Sequence, residues 1–272
     1  MRLLFPIFLL LALSLEAKER IISLSPALTE ILFALGVGEN VVGVNSYSLY
    51  PPKAQKLPII GSYTQPNLEK ILELTPTLVI GQDFNYKAMK DLDFFGIKTV
   101  SVSLQGIKDI KDSIALLGKK LSQEKKARQL IETINIAMQD AKRAQKPHTV
   151  LIVYGLQEDL RNGIYIAGHD IVFEDIILLS GNYNAYSEKL SAQPVLNYEN
   201  IIALNPEQII ILHSLASAPN IDVQKALKNW YHLPTKASKN GRISIVDADY
   251  IHIPSHRIAQ SITRLSNEMR GL

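Results

Sequence analysis

Four short stretches of this chain concentrate side chains able to hold a ligand. "NSYSLYPP" and "GSYTQPN" lie in the first half; "SEKLSAQPVLN" and "DADYIHIPSHR" lie in the second. Together they carry Tyr47, Tyr50, Tyr63, Gln193, Asp249, Tyr250 and His252. A tyrosine offers a flat apolar face with a polar tip, so such a set suits a large conjugated or amide-bearing molecule. Bond-breaking chemistry lacks its usual signatures. No G-x-S-x-G elbow, Walker A loop or H-E-x-x-H pair occurs, and "GVGEN" ends a helical pattern instead of following a strand. The chain therefore reads as a binder of a small molecule, with no catalytic residue.

The histidines narrow the chemistry. All six (His148, His169, His213, His232, His252 and His256) follow Pro147. A bare metal held between two halves of a protein draws ligands from both, histidine above all for zinc. The first half could supply only carboxylates and tyrosines, so no metal site is expected. His252 and His256 fall in a candidate loop, and His252 could face the metal centre of a larger complex.

A second pattern is written twice. "NLEKILELTPTLVI" begins at Asn67 and "NYENIIALNPEQII" at Asn197. Each reads as an Asn N-cap, a short helix, a Pro and an aliphatic strand. Glu69 and Glu199 then occupy the second helical position, where a carboxylate meets the positive end of the helix dipole. That local benefit explains either glutamate alone. Their recurrence at corresponding places also suits docking onto a symmetric partner with basic residues.

Several elements position these residues. "RIISLS" is a short strand, Ser25–Pro26 starts a helix, and Gly36 stops it. "VVGVN", "TLVIG" and "KTVSVS" continue as strands, with helices at 67–74 and 88–95. From Ile107 to about Gln145 there is no strand signal and no Pro, which predicts two helices breaking near Gly118–Ser122, the second one long. The pattern then restarts with "TVLIVYG", "DIVFEDIILLSG" stopped at Gly181, "QIIIL", "RISIVDA" and a last helix from Ser255. Strands alternating with helices predict parallel sheets. The repetition predicts an α/β fold of two Rossmann-like lobes, 18–117 and 147–272. A bridging helix over 118–146 joins them, with the ligand cleft between the lobes where loops at the carboxyl ends of the strands face each other.

Composition agrees. A length of 272 residues allows a sizeable core, and the net charge of +3 comes from interspersed signs without a basic block that would suit nucleic acid. Met1–Arg2 followed by the apolar run Leu3–Leu15 is too short to span a bilayer but fits a secretory signal, expected to be cleaved after Ala17. Cysteine is absent, which excludes disulfides, thiolate chemistry and a lipidated N-terminal Cys. The expected location is the periplasm, as a free monomer.

The stretch from Arg20 to Tyr63, followed by "NLEKILELTPTLVI", resembles the substrate-binding proteins of ABC importers for cobalamin, ferric siderophores and haem, and within that group the cobalamin binders most. The resemblance covers nearly the whole mature chain. It implies two lobes joined by a rigid helix, and one glutamate per lobe, here Glu69 and Glu199, docking on arginines of a dimeric inner-membrane permease. It places Tyr47, Tyr63, Gln193 and Asp249 at ligand-contact positions, although cobalamin binders have tryptophans where this chain has Tyr63 and Gln193. It implies no resident cofactor, the cargo being a corrinoid or another metal complex. Anionic siderophores and haem would favour cationic pocket residues, for which Arg257 and Arg161 are available. The otherwise neutral loops favour a corrinoid, the alternatives being a binder of a ferric siderophore, haem or nickel chelate or, in a different class, an exported α/β enzyme or envelope scaffold.

Overall fold

The computed structural model describes residues 19–141, 143–144, 146–188, 193–214 and 221–270. The expected signal segment, 1–17, lies outside the described residues. The first half contains Ile21–Ser23 (β1), Pro26–Ala34 (α1), Val41–Val44 (β2), Leu68–Glu73 (α2), Leu78–Gln82 (β3), Tyr86–Phe94 (α3) and Lys98–Val102 (β4). Two helices follow, Ile107–Lys120 (α4) and Glu124–Gln139 (α5). The second half opens with Thr149–Tyr154 (β5), Ile164–Tyr165 (β6), Val172–Leu179 (α6), Tyr183–Asn184 (β7) and Val195–Leu196 (β8). It closes with Tyr198–Leu204 (α7), Gln208–His213 (β9), Val223–His232 (α8), Lys236–Lys239 (α9), Ile243–Asp247 (β10) and Ile258–Arg270 (α10).

Two parallel four-stranded sheets result, ordered β2-β1-β3-β4 and β10-β9-β5-β7. Read from its other edge, the second order becomes second, first, third and fourth strand of its half, the same as the first. The written repetition is thus a repetition of topology, and α2 and α7 each join the second strand to the third. Strands β3 and β9 are buried at every position, which is why both read as unbroken aliphatic runs.

Side chains alternating along the strands feed three apolar clusters. Ile22 and Val79 face outward in the first lobe with Ile71 and Met89. Ile209 and Ile211 face outward in the second with Ile201 and Trp230. The opposite faces share one central core, in which Ile21 and Ile80 join Ile152, Ile210 and Leu212 through α1, α4, α5, α6 and α10. Wide separation of the lobes would expose this core to water at a cost of roughly 25 cal/mol per Å².

Capping follows the sequence closely. Ser25 Oγ accepts from the Leu28 N–H at 3.2 Å, Pro26 takes the first helical turn, and Gly36 and Gly181 adopt φ of +84° and +74° just past their helices. The helical connector breaks close to the expected place, but its second helix is shorter than expected. Its break falls at Leu121–Gln123, where Ser122 has φ +54°, and α5 ends at Gln139 instead of running on to Pro147. Between Ala141 and Pro147 the sequence offers the core only Ala144 among charged and polar residues, so a longer helix would gain little burial. Gly118 lets α4 and α5 cross closely: a Cβ there would lie 2.3 Å from Ala127 Cβ. The last helix begins at Ile258, three residues after Ser255; ahead of it the Arg257 N–H donates to Ser255 Oγ, and both side chains bond Glu30.

Candidate functional site

The carboxyl ends of strands in both sheets converge on one cleft between the lobes. Segments after β1 (Ser25–Ala27), β3 (Gln82–Phe84) and β4 (Ser103–Gln105) meet Tyr154 at the end of β5, the start of α6 and the segment 251–254 after β10. Two cavities, about 370 Å³ and about 500 Å³, adjoin each other, with Tyr63, Gln82, His252, Ile253 and Pro254 lining both. Each falls within the range of about 300–1,000 Å³ usual for small-molecule sites.

Tyr63 stands at the junction. Its loop is closed by Ser62 N–H donating to Gln65 O and Gln65 N–H donating to Ser62 Oγ, both at 3.1 Å, and by a bridge between Gly61 and Pro66. Asn85 Nδ2 donates to the Tyr63 carbonyl at 3.4 Å, and Gln82 Nε2 reaches its hydroxyl at 3.5 Å. The ring packs 4.7 Å from Phe84. Tyr47 is 62% exposed at the mouth of the larger cavity, held by its own N–H donating to Asn45 Oδ1 at 2.8 Å. Across the cleft, Tyr154 meets Phe173 edge-on at 5.4 Å and His252 at 6.1 Å.

The cleft is aromatic and close to neutral. Burial raises the pKa of both Tyr63 and Tyr154, keeping both phenols protonated. Burial first, and the charge of His213 second, lower that of His252 and favour the neutral imidazole. Among the described lining residues there is no Lys or Arg, and Asp83, accepting from Ser101 Oγ at 2.7 Å, is the one carboxylate. The two arginines considered from the sequence are committed elsewhere. Arg161 pairs with Asp159 on an exposed surface at 2.8 Å, and Arg257 is buried against Glu30.

Of the residues expected in the site, Tyr47, Tyr63, Gln193 and His252 line the cleft. Tyr50, Asp249 and Tyr250 do not line either cavity. Tyr50 and Tyr250 carry the Arg257 guanidinium over their rings at 4.0 and 5.7 Å, and Asp249 accepts from Arg257 Nη1 at 3.1 Å. These three hold the cleft segments from behind. Of the six histidines only His252 lines the cleft, and no group of three or more potential metal-ligating side chains occurs among the described residues. Gln82, Phe84, Tyr154 and Phe173 also line the cleft without having been expected. The first three were accessible from sequence, since each sits at or just beyond the end of a strand read there.

The duplicated caps are real. Asn67 Oδ1 accepts from Lys70 N–H at 3.0 Å and Asn197 Oδ1 from Asn200 N–H at 2.8 Å. Glu69 and Glu199 follow, both exposed, at equivalent places in the two lobes.

The model of the family described as "Periplasmic binding protein" matches residues 21–250. The vitamin B12-binding protein of Salmonella choleraesuis strain SC-B67 is 31% identical over 215 residues, 77% of this chain and 78% of that protein. The periplasmic heme-binding protein RhuT of Roseiflexus sp. RS-1, in apo form, superposes with a TM-score of 0.76 at 27% identity, covering 93% of this chain and 98% of that one. The periplasmic vitamin B12-binding protein of Vibrio cholerae has the same fold, with a TM-score of 0.72 at 23% identity, over 92% of this chain and 96% of that one. These relatives are binding proteins and not enzymes, in keeping with a cleft that presents aromatic and amide groups. The chain belongs to the periplasmic binding protein family, the substrate-binding components of ABC importers.

Proposed function

We propose that this protein captures a cobalamin-like corrinoid in the periplasm and delivers it to an ABC permease of the inner membrane. The observation that carries the ligand assignment is the lining of the cleft: tyrosine, phenylalanine and glutamine side chains with no cation among the described residues. A corrinoid presents a broad conjugated ring fringed with amides, which glutamines can bond and aromatic faces can cover. Haem and ferric siderophores present carboxylates or other anionic groups, which would call for arginine or lysine. Haem is the second reading, supported by His252 and Tyr63 at the junction of the two cavities, either of which offers an atom to a metal centre.

The apolar segment after Met1–Arg2 supports export with a cleaved leader, and Glu69 and Glu199 supply one acidic peg per lobe for a dimeric permease. Calorimetric titration of the mature protein with cyanocobalamin, haem and a ferric catecholate tests the ligand. Heat from the corrinoid alone supports the first reading; heat from haem alone replaces it with the second.

A further inference from the structure

One guanidinium ties together three segments that shape the larger cavity. Arg257 donates through Nε to Glu30 Oε2 at 2.9 Å and through Nη2 to Glu30 Oε1. Its Nη1 donates to Asp249 Oδ2 at 3.1 Å, and its Cζ lies 4.0 Å above the Tyr50 ring. Ser255 Oγ donates to Glu30 Oε2 and accepts from the Arg257 N–H at 3.1 Å. Arg257 and Glu30 side chains are 6% and 3% exposed, so each is the other's main compensation for leaving water.

Glu30 belongs to α1, whose first turn contributes Pro26 and Ala27 to the cavity. Tyr50 closes the loop that begins with Tyr47. Asp249 and Ser255 bracket His252, Ile253 and Pro254, a segment in no helix or sheet, held by short-range bonds such as Ile253 N–H to Tyr250 O at 3.0 Å and Ser255 N–H to Ile253 O at 2.8 Å. Two of these segments come from the first lobe and one from the second. The planar fork serves Glu30, Asp249 and the Tyr50 ring at once, two of the bonds being bidentate to Glu30, a geometry an ammonium does not reproduce.

We propose that Arg257 is a positioning residue for ligand binding. It fixes the Tyr47–Tyr50 loop and the His252–Pro254 segment against α1, and so sets the shape of the cleft without touching the ligand. Its bearing on ligand binding rests on the cleft being the ligand site; its bearing on the loops does not.

The test compares Arg257→Lys and Tyr50→Leu with the unaltered protein by hydrogen exchange without ligand and by calorimetry with cyanocobalamin. The lysine variant keeps a positive charge beside Glu30 and Tyr50 is 39% exposed, and unchanged exchange in β3 and β9 checks that each variant is folded. Arg257→Lys should speed exchange by roughly tenfold or more at the amides of Ser48, Leu49, Ile253 and Ser255, leaving β3 and β9 unchanged. Tyr50→Leu should do so at Ser48 and Leu49 alone. Corrinoid binding by the lysine variant should weaken by roughly ten- to hundredfold. Unchanged exchange at these four amides, or acceleration spread evenly over both sheets, would overturn the proposal. Should the unaltered protein give no heat with any corrinoid, the ligand assignment fails, and exchange still decides whether Arg257 positions the loops.

Discussion

If the absence of a cation in the cleft selects against anionic ligands, supplying one should shift the preference. Gln193→Arg is the appropriate change, because Gln193 lines the cleft yet is exposed, so a longer side chain there meets no packing constraint. Two unit charges 4 Å apart interact by about 1 kcal/mol in water and about 4 kcal/mol at the effective dielectric of a protein surface. A rim site lies between these limits, and ordering the arginine side chain costs part of the gain. The net should be about 1–2 kcal/mol toward a haem propionate, roughly 5- to 30-fold in affinity. Corrinoid affinity should stay level or fall, since Gln193 loses its amide. Absorbance titration in the Soret region measures the first change and calorimetry with cyanocobalamin the second. An unaltered protein that binds haem as tightly as the arginine variant would refute the electrostatic reasoning, as would a variant with no gain.

Other outcomes follow from particular residues. Glu69→Lys with Glu199→Lys should leave ligand affinity within about twofold, because both side chains are exposed outside the cleft, while abolishing transport in a cellular uptake assay. Asn67→Ala and Asn197→Ala each remove a cap bond and should cost about 0.5–2 kcal/mol in urea denaturation. Burial, and the nearby positive charge of Arg257, hold His256 well below 6.5, at about 4. An unfolded chain therefore binds the extra proton first as pH falls. The stability linked to this group is complete above about pH 6.5 and is lost progressively toward pH 4, on the order of 3 kcal/mol in total. His256→Gln should flatten that part of the profile, and an unchanged slope between pH 7 and 4.5 would argue against it.

The elements most visible in the sequence were those fixed by local chemistry. Ser25–Pro26, Asn67 and Asn197 announced their helices because capping is decided within four residues. The aliphatic runs of β3 and β9 were legible because a central parallel strand is buried on both faces. Less was legible where structure depends on distant partners. The two-residue strands β6, β7 and β8 are too short to show periodicity, and they exist because β5 and one another offer hydrogen bonds. Helices α8 and α9 carry no signal strong enough to mark them in the sequence, although Asp222 and Thr235 cap them by accepting from Lys225 and Ser238 N–H groups.

In the site, the four expected residues that line the cleft lie in loops whose position follows from strand order. Tyr50, Asp249 and Tyr250 lie in those same loops, but Arg257 turns them away from the cavity. That redirection depends on Glu30, more than two hundred residues earlier in the chain, and no local pattern carries it.

A crystal structure of the mature protein with cyanocobalamin tests the central claim most directly. The corrinoid should lie between the lobes with its ring against Tyr47, Tyr63 and Phe84 and its amides within bonding reach of Gln82 or Gln193. A corrinoid bound outside the cleft, or an empty cleft at saturating concentration, would contradict it.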